Sequence, residues 1–278
     1  MEGTGTLWLV ATPIGNLADI SQRARDVLAS VDVIACEDTR RTRGLLSHLG
    51  IAAPKLVALF DANERRRIPE ILRRLTAGVD VALVTDAGTP AISDPGYRLV
   101  AACAEEGIDV DVVPGPSAAV AALVLSGLPT DRFAFEGFLP SRAGQRRARL
   151  AAIADEERTL VLYEAPHRVL ALLRDAHDAL GDRRAAVVRE LTKVHQEVLR
   201  ATLSELAGRL ADREIRGEFV VVIAGAVAER ASADPAEIAA RVERLTAEGM
   251  SRRDAAARVA RETGASRREA YEASLRRR

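Results

Sequence analysis

The first 115 residues alternate five short β-branched runs with stretches of helical periodicity, and this alternation leaves little choice of architecture. LWLVA from Leu7, VDVIACE from Val31, KLVALF from Lys55, VALVT from Val81 and VDVVP from Val110 each read as a buried strand. Between them lie patterns such as SQRARDVLAS and EILRRLTAG, whose apolar residues recur at helical spacing. Strands joined through helices run parallel, so this part reads as a mainly parallel sheet. After Pro116 the rhythm changes: RFAFEG, RTLVLYE, AAVVRE, QEVLRATL and GEFVVVIAG make five further strands, some close enough in sequence to pair antiparallel. Past Ala228 only helical patterns remain, with MSRRDAAARVARETG and ASRREAYEASL joined at Gly264 and Ser266 spaced from Glu269 as a capping box. The expected organisation is an α/β domain over 1–115, a second over 116–228, and a small helix-turn-helix-like extension over 229–278.

At 278 residues and 48% hydrophobic content the chain can bury two ordinary α/β cores. It has no stretch of 18 apolar residues, and its first residues lack the basic and apolar regions of a signal peptide, which points to the cytoplasm and to no membrane partner. Two cysteines and four scattered histidines give no metal-ligand spacing, so no metal is expected. Net charge is zero, but from Ser251 to Arg278 nine arginines face four acids. A second basic run, SRAGQRRAR from Ser141, holds Arg142 and Arg146. Such runs are either solvated helix faces or contacts for RNA phosphates.

Two loops after strands carry the binding signal. DAGTPAISDPG, from Asp86 to Gly96, packs small residues, prolines and glycines behind VALVT, as a loop does when a ligand approaches its backbone. VVPGPSA, from Val112, leads a strand into an alanine-rich helix whose free N–H groups suit an anion. Neither the phosphate loop GxxxxGK[ST] nor GxGxxG is present. The first strand is followed instead by ATPIGNLADIS, with Pro13, Gly15 and Asn16 in a turn and Asp19 reading as a helix cap.

Eight blocks occur in order: ATPIGNLADIS, ACEDTRRTRGLL, LVTDAGTPAISDPG, VVPGPSA, FEGFLP, YEAPHR, RELTKVHQE and GEFVVVIAG. In order and spacing they resemble the tetrapyrrole methylase superfamily, from about Leu7 to Gly225 and more weakly into the tail. The resemblance implies a two-domain class III methyltransferase fold with S-adenosylmethionine in the interdomain cleft. It places Pro13, Gly15, Asp86, Ala87, Gly88, Ser93, Asp94, Ser117 and Ala118 on the cofactor. Glu37 and Asp38 would also face ligand, although their place before TRRTR equally suits helix capping. Where tetrapyrrole-modifying members carry GGDP this chain has Ala87, Gly88, Thr89 and Pro90, which counts against a porphyrin-like substrate. The blocks are most similar to a branch that methylates the ribose 2′-hydroxyl of a decoding-centre cytidine in 16S rRNA. That likeness implies rRNA, within the small ribosomal subunit, as partner, and a homodimer. A same-fold enzyme acting on a small molecule or protein side chain, and a non-catalytic RNA-associated module, are the alternatives.

A ribose hydroxyl needs its proton removed or shared during transfer, so a base is wanted in the cleft. RELTKVHQE offers Glu190, Lys193 and His195 as catalytic candidates. Only two of the 40 basic residues are lysine, Lys55 and Lys193, and a lysine, unlike an arginine, can lose its proton. Lys193 is thus a candidate base or phosphate contact. YEAPHR is expected to put His167 and Arg168 in the first turn of a helix, where a cation calls for an anionic neighbour such as RNA phosphate or Glu164.

Overall fold

The computed structural model describes residues 3–227 and 234–275. Five four-residue strands, β1 (Leu7–Val10), β2 (Val33–Cys36), β3 (Lys55–Ala58), β4 (Val81–Val84) and β5 (Val110–Val113), form one wholly parallel sheet in the order β3-β2-β4-β1-β5. Every residue of β2 and β4 is buried, as strands covered on both faces require. The intervening helices are α1 (Gln22–Ser30), α2 (Thr39–His48), α3 (Glu64–Thr76) and α4 (Tyr97–Glu105). They close two apolar layers, one around Ile71, Leu75 and Leu99 and the other around Leu28, Ile34 and Leu46. The chain lays β1, β2 and β3 outward and returns to insert β4 between β2 and β1 before adding β5. This reversal of direction opens a crevice at the carboxyl ends of β1 and β4, where open α/β sheets bind ligands.

The second sheet runs β6-β7-β10-β8-β9, built from β6 (Phe133–Phe138), β7 (Thr159–Glu164), β8 (Arg184–Arg189), β9 (Glu197–Thr202) and β10 (Phe219–Ile223). β6 and β7 are parallel, and the other pairs are antiparallel. On one face α6 (Ala143–Ala152), α7 (Val169–Leu180) and α8 (Leu203–Ala211) enclose an aliphatic core. On the other face lies α5 (Ala118–Ser126), the alanine-rich helix, with Ile14 from the first β-turn packed into the same cluster. Small α5 side chains let the helix sit close over Val161, Val188 and Val220. Both sheets belong to one compact unit, Met1–Ala226.

A second unit, Val227–Arg278, holds α9 (Pro235–Ala247), α10 (Arg252–Thr263) and α11 (Arg267–Leu275) around its own core of Ile238, Val242, Val259 and Ala270. α10 and α11 follow the two helical patterns singled out in the sequence, and α9 precedes them. That helix announces itself by Asp234 at the N-cap and Pro235 behind it, a helix start the longer-range pattern hides. The expected capping box is formed: Ser266 N–H donates to Glu269 at 2.7 Å and Glu269 N–H to Ser266 Oγ at 3.1 Å. The expected boundary at residue 229 and the arginines at 276, 277 and 278 lie outside the described residues. Two caps differ from expectation. Ser21, not Asp19, caps α1 by accepting from Ala24 N–H at 3.1 Å. His167 and Arg168 precede α7, with Arg168 itself at the N-cap position, because the turn at Ala165 and Pro166 delays the helix to Val169.

Candidate functional site

A cavity of about 420 Å³ opens between the two sheets, within the range of small-ligand sites. The long loop after β4 supplies Asp86, Ala87, Gly88, Ser93 and Asp94, the end of β2 supplies Glu37, and the start of α5 supplies Ser117 and Ala118. The facing wall is Phe138, Tyr163, Glu164, Val188, Leu191 and Glu218.

The loops reach the cavity through unusual backbone. Gly88 has φ +92° and pairs with Thr12 in both directions, donating to its carbonyl at 3.1 Å and accepting from its N–H at 2.9 Å. Ala91 (φ 66°) and Ser93 (φ 62°) on one side, and Glu190 (φ 51°) and Thr192 (φ 63°) on the other, adopt the left-handed conformation without being glycine. Such backbone costs energy and persists only where surrounding structure enforces it, commonly at binding sites. At Gly137 a register shift in β6 brings the chain so near the loop that a Cβ would stand 3.1 Å from Ser93 Oγ. That bulge leaves Phe138 57% exposed at the cavity, edge-on to Tyr163.

Carboxylates outnumber cations along the cavity lining, and Arg168 and Lys193 pair two of them, Glu164 and Glu218, without lining it themselves. Glu37, Asp86, Asp94, Glu164 and Glu218 line it, with Arg41 as the lining cation. Arg41 is committed to Asp86 at 3.2 Å, and Glu37 accepts from Thr85 Oγ1 at 3.3 Å. Burial pushes the Asp94 carboxyl up to about 6, against a hydrogen bond from Thr85 and with the help of the neighbouring Glu37, Asp86 and Asp61. Burial likewise raises Tyr163, whose hydroxyl accepts from Ala119 N–H at 3.1 Å. Ser117 makes no capping bond to its own helix, so its hydroxyl remains available to a ligand beside the α5 N-terminus.

The two acidic neighbours at the end of β2 divide the roles that sequence left open. Glu37 faces the cavity, whereas Asp38 caps α2 by accepting from Arg40 N–H at 2.7 Å. Pro13 and Gly15 do not line the cavity; they shape its back. A Cβ on Gly15 would fall 2.6 Å from Lys193 Cγ and 2.7 Å from the Leu191 carbonyl, so only glycine admits the 190–193 loop. Lys193 itself does not line the cavity. Its Nζ lies 2.9 Å from Glu190 Oε1 and 3.0 Å from Glu218 Oε2. Partial burial works against its charge, but those two carboxylates win and hold it above the ordinary lysine value, so the amine is kept as an ammonium rather than poised as a base. Glu190 accepts additionally from Glu218 N–H at 2.9 Å and is held below the usual carboxylate range, its own partial burial being outweighed by Lys193 and that N–H. Lys193 and Glu190 therefore clamp Glu218 and Leu191 against the cavity, and His195 is exposed in the next turn.

The expected substrate arginines separate as well. Arg146 is buried and paired with Asp175 at 2.6 Å, so it ties α6 to α7 and cannot meet RNA; Arg142 is exposed at the start of α6. Arg168 finds its anion in Glu164 at 3.0 Å and also donates to the Leu139 carbonyl at 2.7 Å, while His167 is exposed. Thr85, Phe138, Tyr163, Glu164 and Glu218 escaped the sequence reading as site residues, although FEGFLP, YEAPHR and GEFVVVIAG contain four of them at strand ends. Among the described residues no cluster of histidine, cysteine and carboxylates could hold a metal, and no helix is long and apolar enough to cross a membrane.

The cavity fits a ligand that is cationic at one place, anionic at another and otherwise flat and apolar. Unpaired carboxylates suit a sulfonium, the α5 N-terminus and Ser117 suit a carboxylate, and Ile14, Leu191 and Val220 suit a ring. Residues 6–207 match the model of the tetrapyrrole (corrin/porphyrin) methylases, and residues 232–278 match that of the RsmI C-terminal HTH domain. A protein of Synechocystis named ribosomal RNA small subunit methyltransferase I is 48% identical, covering 98% of each chain. One of the same name from Xylella fastidiosa is 49% identical over 98% of this chain and 99% of its own. Uroporphyrin-III C-methyltransferase of Thermus thermophilus, solved in complex with S-adenosyl homocysteine, shares the fold with TM-score 0.55 and 22% identity, covering 79% of this chain and 97% of that one.

Proposed function

Because the chain belongs to the tetrapyrrole methylase family, we infer that it is an S-adenosylmethionine-dependent methyltransferase whose substrate is the ribosomal RNA of the small subunit. The finer reading is transfer to the ribose 2′-hydroxyl of a decoding-centre cytidine in 16S rRNA, in the cytoplasm. The observation that carries it is that two of the five lining carboxylates, Glu37 and Asp94, face the cavity with no cation partner among the described residues, whereas Asp86, Glu164 and Glu218 are paired, which favours a cationic cofactor. Bound there, S-adenosylmethionine supplies a methyl group on an electrophilic sulfonium. Glu37, which has no cation partner among the described residues, would offset its charge, and the Gly88 backbone and Ser117 would orient it. Asp94, with its carboxyl at about 6, is ionised at neutral pH yet basic enough to accept a proton, so it replaces Lys193 as the proposed base. Phe138 offers an exposed face at the cavity for the substrate's base. The three segments divide the work: 1–115 and 116–228 share the cofactor and the chemistry, and the C-terminal extension serves the RNA.

A homodimer is part of the same reading. Val120 and Val124, one turn apart on α5, are 49% and 66% exposed, and they accompany exposed Val112 on the edge strand β5. Light scattering at micromolar concentration tests it, and a monomer there removes it.

Purified 30S subunits incubated with labelled S-adenosylmethionine, followed by mapping of the modified nucleotide, test the chemistry. Label on a cytidine ribose, lost when that nucleotide is 2′-deoxy, is the expected result. Label on a base, on ribosomal protein, or nowhere overturns it.

A further inference from the structure

The C-terminal unit carries a feature that the methyl-transfer site does not use. Its described residues, 234–275, hold eight arginines and eight carboxylates and so balance one another. Between α10 and α11, however, a groove of about 1360 Å³ gathers five of those arginines and only two carboxylates. Arg258 is paired with Glu262 at 3.0 Å, and Arg268 with Glu272 at 2.8 Å. Arg253, Arg261 and Arg267 line the same groove and have no carboxylate partner among the described residues. The basic run on α6 is the contrast: there Arg146, Arg147 and Arg149 are all paired with Asp175 or Glu136.

Arg253 and Arg261 stand about 12 Å apart along α10 at the helical rise, so they engage different charges on an extended anion. Between them Ala256 and Ala257 leave the groove floor low. Tyr271, 42% exposed, presents a ring from α11. Three uncommitted guanidiniums beside an accessible aromatic face match a polymer that repeats phosphates and flat bases, and an acidic protein segment would leave the ring unused.

We propose that the α10–α11 groove is a docking surface for RNA, with Arg253, Arg261 and Arg267 taking phosphates and Tyr271 taking a base. The proposal rests on the reading of ribosomal RNA as substrate. Guanidinium contacts to phosphate release counterions, so they set the salt dependence of binding, whereas stacking sets affinity with little salt dependence.

The test uses the full chain carrying Arg253→Gln, Arg261→Gln and Arg267→Gln together, binding purified 30S subunits over a salt series. A control triple, Arg241→Gln, Arg244→Gln and Arg252→Gln, removes the same charge from the same unit outside the groove. The groove triple should bind roughly tenfold or more weakly, with a log–log salt slope about two units shallower, from about 0.7 per phosphate. Melting temperature and S-adenosylmethionine affinity should match the control. Tyr271→Ala should weaken binding at an unchanged slope. A groove triple that keeps the original slope and affinity overturns the proposal, and so does an equal loss in the control triple. Methyl transfer by the unmodified chain to the same subunits reports separately on the rRNA assignment: transfer with an unaffected groove triple brings down the groove alone.

Discussion

At the scale of single residues, the site is built from side chains held away from their most stable states. Asp94 is the clearest case, since its carboxyl sits near 6 in the fold against about 3.9 in an unfolded chain. The folded state then holds the proton more tightly, so stability falls as pH rises from about 4 to about 6, and the penalty is complete above that. Asp94→Asn is expected to raise the ligand-free chain's stability by roughly 1–2 kcal/mol at pH 7.5, after allowing for partial exposure, with no gain at pH 4. Urea titrations at the two pH values check this, and methyl transfer by the same variant should fall at least about a hundredfold if Asp94 takes the proton. Gly88 is a second such position. Gly88→Val puts a β-branched side chain at φ +92°, where strain of about 1–3 kcal/mol and a Cβ 3.4 Å from Ile14 displace the Thr12 pairing. Calorimetry should show loss of S-adenosylmethionine binding in a folded protein. Lys193 was legible as important through its rarity among arginines, but not in its role, because the carboxylates that fix its charge come from Glu190, three residues away, and Glu218, twenty-five away. Lys193→Arg should retain most turnover as a clamp, and Lys193→Met should lose it through weaker cofactor binding.

Helix starts and strand ends explain what could and could not be read from the chain. The parallel strands of the first sheet were legible because buried strands write continuous apolar runs, and the loops after β1 and β4 because close approach demands small residues. Whether Glu37 or Asp38 faced the cavity was not legible, since both fit a cap and only the turn at the end of β2 decides which side chain folds back on α2. Asp38→Ala should therefore lower the melting temperature with little change in cofactor affinity, and Glu37→Gln should do the reverse. Likewise the SRAGQRRAR run looked like one basic face, yet α6 turns Arg146 inward to Asp175. Arg146→Ala removes the buried partner of Asp175, which keeps Arg147 at 3.4 Å, and is expected to cost roughly 1–2 kcal/mol, read from denaturant unfolding, without an RNA phenotype beyond that loss.

For the whole molecule, the residues lining the cavity all fall within Met1–Ala226, and the three-helix core is separate. A chain ending at residue 226 should keep S-adenosylmethionine affinity within about twofold of the full chain, as calorimetry reads it. The two sheets also have largely separate cores, joined by α5 and Ile14, and the cavity takes its walls from both. A molecule seated between them is thus a clasp as well as a reactant. Without it, each layer can open with limited regard for the other. At a hundredfold excess over its dissociation constant it adds about 2.7 kcal/mol to the native state, and that increment falls on both layers together. Amide hydrogen exchange gives this a signature: protection at Gly88 and at Val220, on opposite walls, should rise in step as the clasp is titrated, so that a catalyst between turnovers breathes more freely than one holding its methyl donor.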